Sequence, residues 1–352
     1  MAENIIGIDI GFGFTKATDG RDFLVFKSIY GEAVDFQFRE NLLDTSRNDE
    51  HLQIEIDGAS YFVGELSERQ STSRSFTLDQ SQFVSSSSKI LALATLSHFV
   101  RDDSQPIKLV VGLPIGHYRQ YKEELAQMLN GTHAFVAVDG EGNKRSLNIH
   151  VADVRVLPQP LGTVMDRLLS SLGTPKNQRF ATDKIGVIDV GFRTTDYTIS
   201  DKGRYSERGS LTTKNGISVA FSKIGHKLKE TCGIDIEIYR LFTAVDQGTI
   251  KVRGKAYDLK KISEASLKQL ASVIAIDANQ VWSDDWDIDA IMITGGGGAV
   301  LAPYIQEQLQ GITIPIKEDL DYRLHNVRGY YKFGLYTWTK PEKATLTAVA
   351  SV

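Results

Sequence analysis

Apolar and polar positions alternate along this chain in two rhythms, and the same succession of rhythms occurs twice. Ile5 to Ile10 is a nearly continuous apolar run, the pattern of a strand buried on both faces. Phe14 to Thr18 and Phe23 to Lys27 read as the next two strands, with Asp19-Gly20 turning between them. Residues 31–79 are more polar. Within them Leu52 to Ile56 alternates, Asp57-Gly58 turns and Ser60 to Gly64 follows, which predicts a hairpin in a small inserted subdomain. Ser85 to Ser88 read as capping residues ahead of a helix over Ile90 to Val100. Lys108 to Leu113 is a buried strand closed by Pro114. Tyr118 to Leu129 is a helix ended by Asn130-Gly131, and Phe135 to Val138 and Leu147 to Val156 are strands.

Pro158-Gln159-Pro160 interrupts the pattern, and a helix over Leu161 to Leu172 and a polar loop follow. From Ile185 the chain resumes with a second hairpin. A helix over Ile217 to Thr231, a short one over Ile236 to Val245 and a small hairpin around Arg253-Gly254 come next. Ser263 to Trp282 carries Leu267, Leu270, Val273, Ile274 and Val281 at helical spacing. A buried strand, Ile288 to Thr294, runs into four glycines and a helix reaching Leu309. Ile312 to Ile316 reads as a strand and Arg323 to Trp338 as a helix, and the tail from Thr339 has no strong pattern. Strands and hairpins followed by alternating helices and strands, twice over, predict an α/β protein of two related lobes, each a mixed sheet flanked by helices. The expected division is 1–160 with 325–352 as the first lobe, including an insert at about 31–80, and 161–324 as the second.

The repeat is also chemical. Ile6 to Lys16 (Ile-Gly-Ile-Asp-Ile-Gly-Phe-Gly-Phe-Thr-Lys) returns as Gly186 to Asp196 (Gly-Val-Ile-Asp-Val-Gly-Phe-Arg-Thr-Thr-Asp). Each is an apolar run ending in Asp, a glycine turn and a second strand. Gly11 and Gly13 let a turn close tightly and bring a ligand near backbone N–H groups. Those groups, the Thr15 hydroxyl and the Lys16 ammonium suit a polyphosphate. Asp9 and Asp189 repel phosphate and make sense only with a divalent cation between, which implies Mg²⁺. Gly295 to Gly298, between a strand and a helix, stand where α/β folds bind ligands, at a strand's carboxyl end. They are not a P-loop, because the following Lys-Ser/Thr is absent.

Composition narrows the classes. Of 352 residues, 41% are hydrophobic and 24% charged, ordinary for a soluble protein with two lobes. The net charge of -4 argues against broad direct nucleic-acid binding, and the basic cluster Lys251, Arg253, Lys255, Lys260 and Lys261 reads as a solvated hairpin. The single cysteine, Cys232, excludes an internal disulfide and a cysteine metal site and fits a reducing cytoplasm. No basic-then-apolar leader opens the chain, and no apolar run reaches the ~20 residues of a membrane helix.

Together these motifs resemble the actin, sugar-kinase and heat-shock ATPase superfamily. Gly7 to Lys16 matches its first phosphate hairpin, Pro158 to Gly162 the start of its first connecting helix and Gly186 to Asp196 its second phosphate hairpin. Ile291 to Ala299 matches its adenosine element and Asn326-Val327-Arg328-Gly329 its second connecting helix. The chain looks most like the prokaryotic actin-like proteins of the ParM/StbA plasmid-segregation and archaeal groups. The resemblance implies an actin-like fold with ATP, or alternatively GTP, and Mg²⁺ in the cleft between lobes. It assigns Mg²⁺ to Asp9 and Asp189 through water. It assigns the phosphates to the tips Gly11-Phe12-Gly13-Phe14-Thr15-Lys16 and Gly191-Phe192-Arg193-Thr194, and adenosine to Gly295, Gly296 and Gly297. Gly216 would line the base pocket. Gln159 would position the attacking water, with Asp189 and Asp196 completing the catalytic set, and a neutral Gln implies slow hydrolysis. Arg193 in the second tip would add a phosphate contact not typical of the family, and Phe12 and Phe192 depart from the small polar residues of many relatives. A bulky ring there either narrows the γ-phosphate space or packs behind the turn.

A cytoplasmic, filament-forming ATPase for plasmid segregation or cytoskeletal positioning, with self-association and an adaptor to DNA but no membrane or direct nucleic-acid contact, is the expected function. The alternatives are a small-molecule kinase of the same superfamily, for which Asp153 or Asp196 would be the substrate base, and a non-polymerising nucleotide-dependent scaffold.

Overall fold

The computed structural model describes residues 4–34, 52–76, 86–314 and 321–339. The first half supplies β1 (Asn4–Ile10), β2 (Phe14–Thr18), β3 (Phe23–Lys27), β4 (Ile29–Glu32), β5 (Leu52–Ile56), β6 (Ala59–Val63), α1 (Glu65–Gln70) and β7 (Arg74–Phe76). α2 (Ser86–Phe99), β8 (Ile107–Leu113), α3 (Ile115–Leu129), β9 (Gly131–Val138) and β10 (Lys144–Pro158) complete it. After α4 (Gln159–Leu168) and α5 (Gln178–Thr182) come β11 (Lys184–Val190), β12 (Thr195–Asp201), β13 (Arg204–Thr213), α6 (Ser218–Cys232) and α7 (Leu241–Gln247). β14 (Thr249–Val252), β15 (Lys255–Asp258), α8 (Lys260–Val281), β16 (Ala290–Thr294), α9 (Gly296–Gln306) and α10 (His325–Trp338) follow.

Two sheets organise these elements. Ten strands form the first, in the order β3-β2-β1-β8-β10-β9-β5-β6-β4-β7, and four form the second, β13-β12-β11-β16. β1 and β11 play the same part: each pairs antiparallel with the strand after it and parallel with a later strand, β8 or β16. A parallel bridge from Ile291 to Thr313 puts the next segment of the second sheet where β10 lies in the first. Both central strands are buried on both faces, as parallel-sheet interiors require. Ile8, Leu91, Leu109 and Val111 belong to one core, and Ile188, Val190, Ile274 and Leu301 to the other.

The join between the sheets is made by α4 and α10, which cross in close contact, with α10 also lying on β1 and β8. Tyr330 of α10 is buried there and donates to the Gln159 carbonyl at 3.2 Å.

Several boundaries differ from the sequence reading for local reasons. α3 starts at Ile115, directly after the extended Pro114, and not at Tyr118. α4 starts at Gln159, because a proline in the first turn forfeits no intrahelical bond. It stops at Leu168, since Leu169 is extended and bridges to Pro175. Ser86 to Ser88 form the first turn of α2 and do not precede it. β13 had no strong strand signal, because its charged and hydroxyl side chains largely face outward. The strands described in the insert at 31–80, β4 to β7, continue the ten-stranded sheet, with α1 packed on β4 and β6. The remainder of the insert, Ser85, the end of the expected strand at Ile316 and the tail from residue 340 lie outside the described residues.

Candidate active site

The two glycine tips are the same turn. Gly11 N–H donates to the Phe14 carbonyl at 3.1 Å, and Gly191 N–H to the Thr194 carbonyl at 2.9 Å. In both, a four-residue loop joins a paired couple, Ile10–Thr15 or Val190–Thr195. The tips meet: a Cβ on Gly13 would stand 2.9 Å from the Phe192 Cβ.

The carbonyls of both tips are turned into the protein. Gly11 and Gly13 carbonyls accept from Ser28, through its hydroxyl at 2.6 Å and its N–H at 3.0 Å. Gly191, Phe192 and Arg193 carbonyls accept from the N–H groups of Ile217, Ser218 and Gly216 at the start of α6. In a planar trans peptide the C=O and the next N–H point opposite ways. The N–H groups of Phe12, Phe14, Phe192, Arg193 and Thr194 are therefore directed away from those partners, as in an anion-binding nest.

Behind each nest lies a buried carboxylate. Asp9 accepts from Lys16 Nζ and from Gln159 Nε2, both at 2.9 Å. Asp189 accepts from Asn326 Nδ2 at 2.8 Å. Burial pushes the Asp189 carboxyl up to about 6; the Asn326 hydrogen bond opposes this and the nearby Asp9 charge adds to it. A buried pair of like charges invites a cation. Among the described residues no three His, Cys, Asp or Glu side chains gather. Two carboxylates are a donor set that fits Mg²⁺, which keeps its waters and takes one or two carboxylates plus phosphate oxygens.

The sequence-chosen residues sort into several groups. Asp9, Lys16, Gln159, Asp189, Gly191 and Gly295 converge. Gly295 adopts φ +85°, and a Cβ there would stand 2.3 Å from Asp189 Oδ1. Gly296 and Gly297 begin α9 and do not form a loop. A Cβ on Gly297 would press on Val190 at 2.7 Å, whereas one on Gly296 would meet only Arg323 Cγ at 3.5 Å.

The other expected site residues have contacts of their own. Thr15 is buried and its hydroxyl bonds Ser28 at 2.9 Å, so it braces the turn and does not reach for phosphate. Gly216 is buried beneath the second tip, where a Cβ would lie 2.4 Å from the Phe192 carbonyl oxygen, so its missing side chain serves that contact. Phe12 is buried in the first core, and Phe192 stacks on Phe242 at 5.4 Å, so both rings pack behind the turns and leave only backbone to a ligand. Arg193 lies over the Phe12 ring at 5.7 Å. Asp196 feels the charges of Asp189 and Asp9, and its Oδ1 accepts from Ile115 N–H at 3.1 Å and from the Thr212 hydroxyl. Thr212 Oγ1 accepts in turn from Gly116 N–H at 2.8 Å. α3 has no cap of its own, and side chains of the second sheet cap it across the lobes.

The sequence marks Asn326 only as part of the second connecting helix, and Ser28 carries no sequence signal at all.

No curated protein matches the chain by sequence. Residues 7–162 match the family model described as actin like proteins N terminal domain, and residues 187–309 that of archaeal actin homologue MreB-like, C-terminal. A 15-stranded ParM filament from Clostridium botulinum is similar at 25% identity and TM-score 0.78, over 95% of this chain and 99% of that one. The archaeal actin homologue Ta0583 in complex with ADP shares the fold at 18% identity and TM-score 0.75, over 94% and 98% of the two chains. Bacillus thuringiensis ParM with ATP does so at 16% and 0.70, over 96% and 100%. Tandem family matches across both lobes, on a fold shared over nearly the whole length, make this chain a prokaryotic actin-like protein.

Proposed function

We propose that the chain is an ATPase that binds ATP with Mg²⁺ between the tips and assembles into filaments in a nucleotide-dependent way. The observation that supports this most is the pair of identical turns, each with carbonyls turned inward and a buried Asp behind it. Asp9 and Asp189 would hold Mg²⁺ through water, and Lys16 and the tip N–H groups would hold phosphate. The metal would supply charge neutralisation on the phosphates. Gln159 gives its N–H to Asp9, which can only accept, so its Oε1 remains to orient a water. A carboxamide does not remove a proton, so turnover would be slow.

The relatives support the reading: one was solved as a filament, one with ADP and one with ATP. We take the lobes as 1–160 with 325–352, and 161–324, and the role as DNA or plasmid segregation through an adaptor. The kinase alternative is disfavoured, because its two candidate bases are occupied: Asp153 accepts from Trp338 Nε1 at 3.0 Å and Asp196 caps α3. Light scattering and electron microscopy with ATP and Mg²⁺ test the proposal. Filaments with ATP and their loss on phosphate release support it. Turnover that needs an added sugar or acid, without assembly at any concentration, would sink it.

A further inference from the structure

The two carboxylates are held in matching ways, and the match points to a residue with no assigned role. Gln159 is the first residue of α4 and gives its amide N–H to Asp9. Asn326 is the second residue of α10 and gives its amide N–H to Asp189. Each helix leaves one lobe for the other, so each lobe's Asp is gripped by a carboxamide from the first turn of a connecting helix.

The Asn326 grip is directional. Asp189 as a carboxylate only accepts, so Asn326 must present Nδ2 to it and Oδ1 to the opposite side. There Oδ1 accepts from Thr163 N–H at 3.2 Å and from its hydroxyl at 2.9 Å. With its proton spent, Thr163 Oγ1 accepts from Thr294 Oγ1 at 3.1 Å. Thr294 then accepts from His325 Nδ1 at 3.1 Å. The chain is fully buried. Its order of protons is fixed from the Asp189 end. His325 must therefore be the neutral Nδ1–H tautomer, which fits a ring that burial holds well below its usual range, at about 4.

We propose that Asn326 is a positioning residue. Through Thr163 it ties the orientation of the Asp189 carboxylate to the seating of α4 on α10, and so presents Asp189 to the divalent cation only when the connecting helices are in register. This rests on the reading of Asp189 as a cation-binding group. Outer partners of metal-binding carboxylates are worth about 10–100-fold in metal affinity.

Binding of a fluorescent ATP analogue, with Mg²⁺ and with EDTA, tests it in the full-length protein. Wild type should bind more tightly with Mg²⁺. Asn326→Ser should lose about tenfold of that gain while its affinity in EDTA stays within about twofold of wild type. Thr163→Val should lose part of the gain and Thr163→Ser should restore it, a pair that keeps the test alive if Asn326→Ser does not fold. A purely structural role would lower thermal stability and weaken binding equally with and without Mg²⁺. Either that result, or a Mg²⁺ gain equal to wild type in folded Asn326→Ser and Thr163→Val, overturns the inference alone. A wild type with no Mg²⁺-dependent nucleotide binding overturns the function above as well.

Discussion

Gly329 meets Gly162 backbone to backbone: a Cβ on Gly329 would stand 1.7 Å from the Gly162 carbonyl oxygen. Nothing flexible lies at that contact. A Cβ on Gly162 in turn would stand 2.7 Å from the Asn326 carbonyl oxygen. The two helices that join the lobes therefore touch along their glycines at one crossing, and the carboxamides that hold Asp9 and Asp189 lie one turn from it.

Gly329→Ala should be severely destabilising. The methyl group has backbone as its neighbour, so the helices must separate, and overpacking of this kind costs about 3 kcal/mol or more. Urea denaturation should show a lower midpoint with an unchanged slope, or no soluble protein. A variant as stable as wild type would mean that the crossing is looser than described.

Gly296→Ala separates packing from function. It has room, since the nearest atom to the new Cβ is Arg323 Cγ at 3.5 Å, and alanine favours the helix that starts there. Its stability should match or exceed wild type by up to about 1 kcal/mol, while ATP affinity falls because the methyl occupies the face offered to adenosine. Unchanged affinity, measured by titration, would remove Gly296 from the site.

The central strands and both tips were legible in the sequence, because an apolar run such as Ile5 to Ile10, with Asp9 near its end and Gly11 after it, can be little else. Gln159 was singled out by resemblance, and the structure sets its amide on Asp9. What escaped was set by tertiary contact. Gly216 looks like a helix-start glycine, yet its reason is the Phe192 carbonyl beside it. Asp196 looks like part of the second phosphate motif, yet its partner is the start of α3, eighty-one residues earlier. Thr15 alternates as a strand residue should, and only the Ser28 contact shows where its hydroxyl goes.

The burial of Asp196, which its bonds to Ile115 and Thr212 only partly offset, makes stability depend on pH. Burial, with the Asp189 charge adding to it and the Thr212 bond opposing, pushes the Asp196 carboxyl up to about 7, against about 3.9 in an unfolded chain. Between these values the folded state binds a proton that the unfolded state does not, so stability falls as pH rises through the window. Asp189 acts the same way up to about 6. His325 acts oppositely, losing stability as pH falls from about 6.5 toward 4. From pH 6.5 to 8 Asp196 dominates, and nucleotide-free protein should lose roughly 1 kcal/mol. Asp196→Asn keeps an oxygen for the Ile115 N–H and has no charge to bury. Its denaturation midpoint should be flat over that range, and a slope equal to wild type would refute the assignment.

Gln159→Ala tests the other carboxamide. Its Oε1 is the atom proposed to orient water and its Nε2 one of two donors to Asp9, the other being Lys16. Loss of the first should slow phosphate release at saturating ATP by about 10²-fold. Loss of the second should raise the Mg²⁺ needed for half-maximal turnover only modestly, because the Lys16 contact at 2.9 Å remains. Nucleotide affinity should change little, since the amide of Gln159 is bonded to Asp9. Stopped-flow phosphate release and a Mg²⁺ titration read the two effects separately. A variant that releases phosphate at the wild-type rate would leave Gln159 as a brace for Asp9 alone, whereas one that no longer binds ATP would make it part of the phosphate cradle.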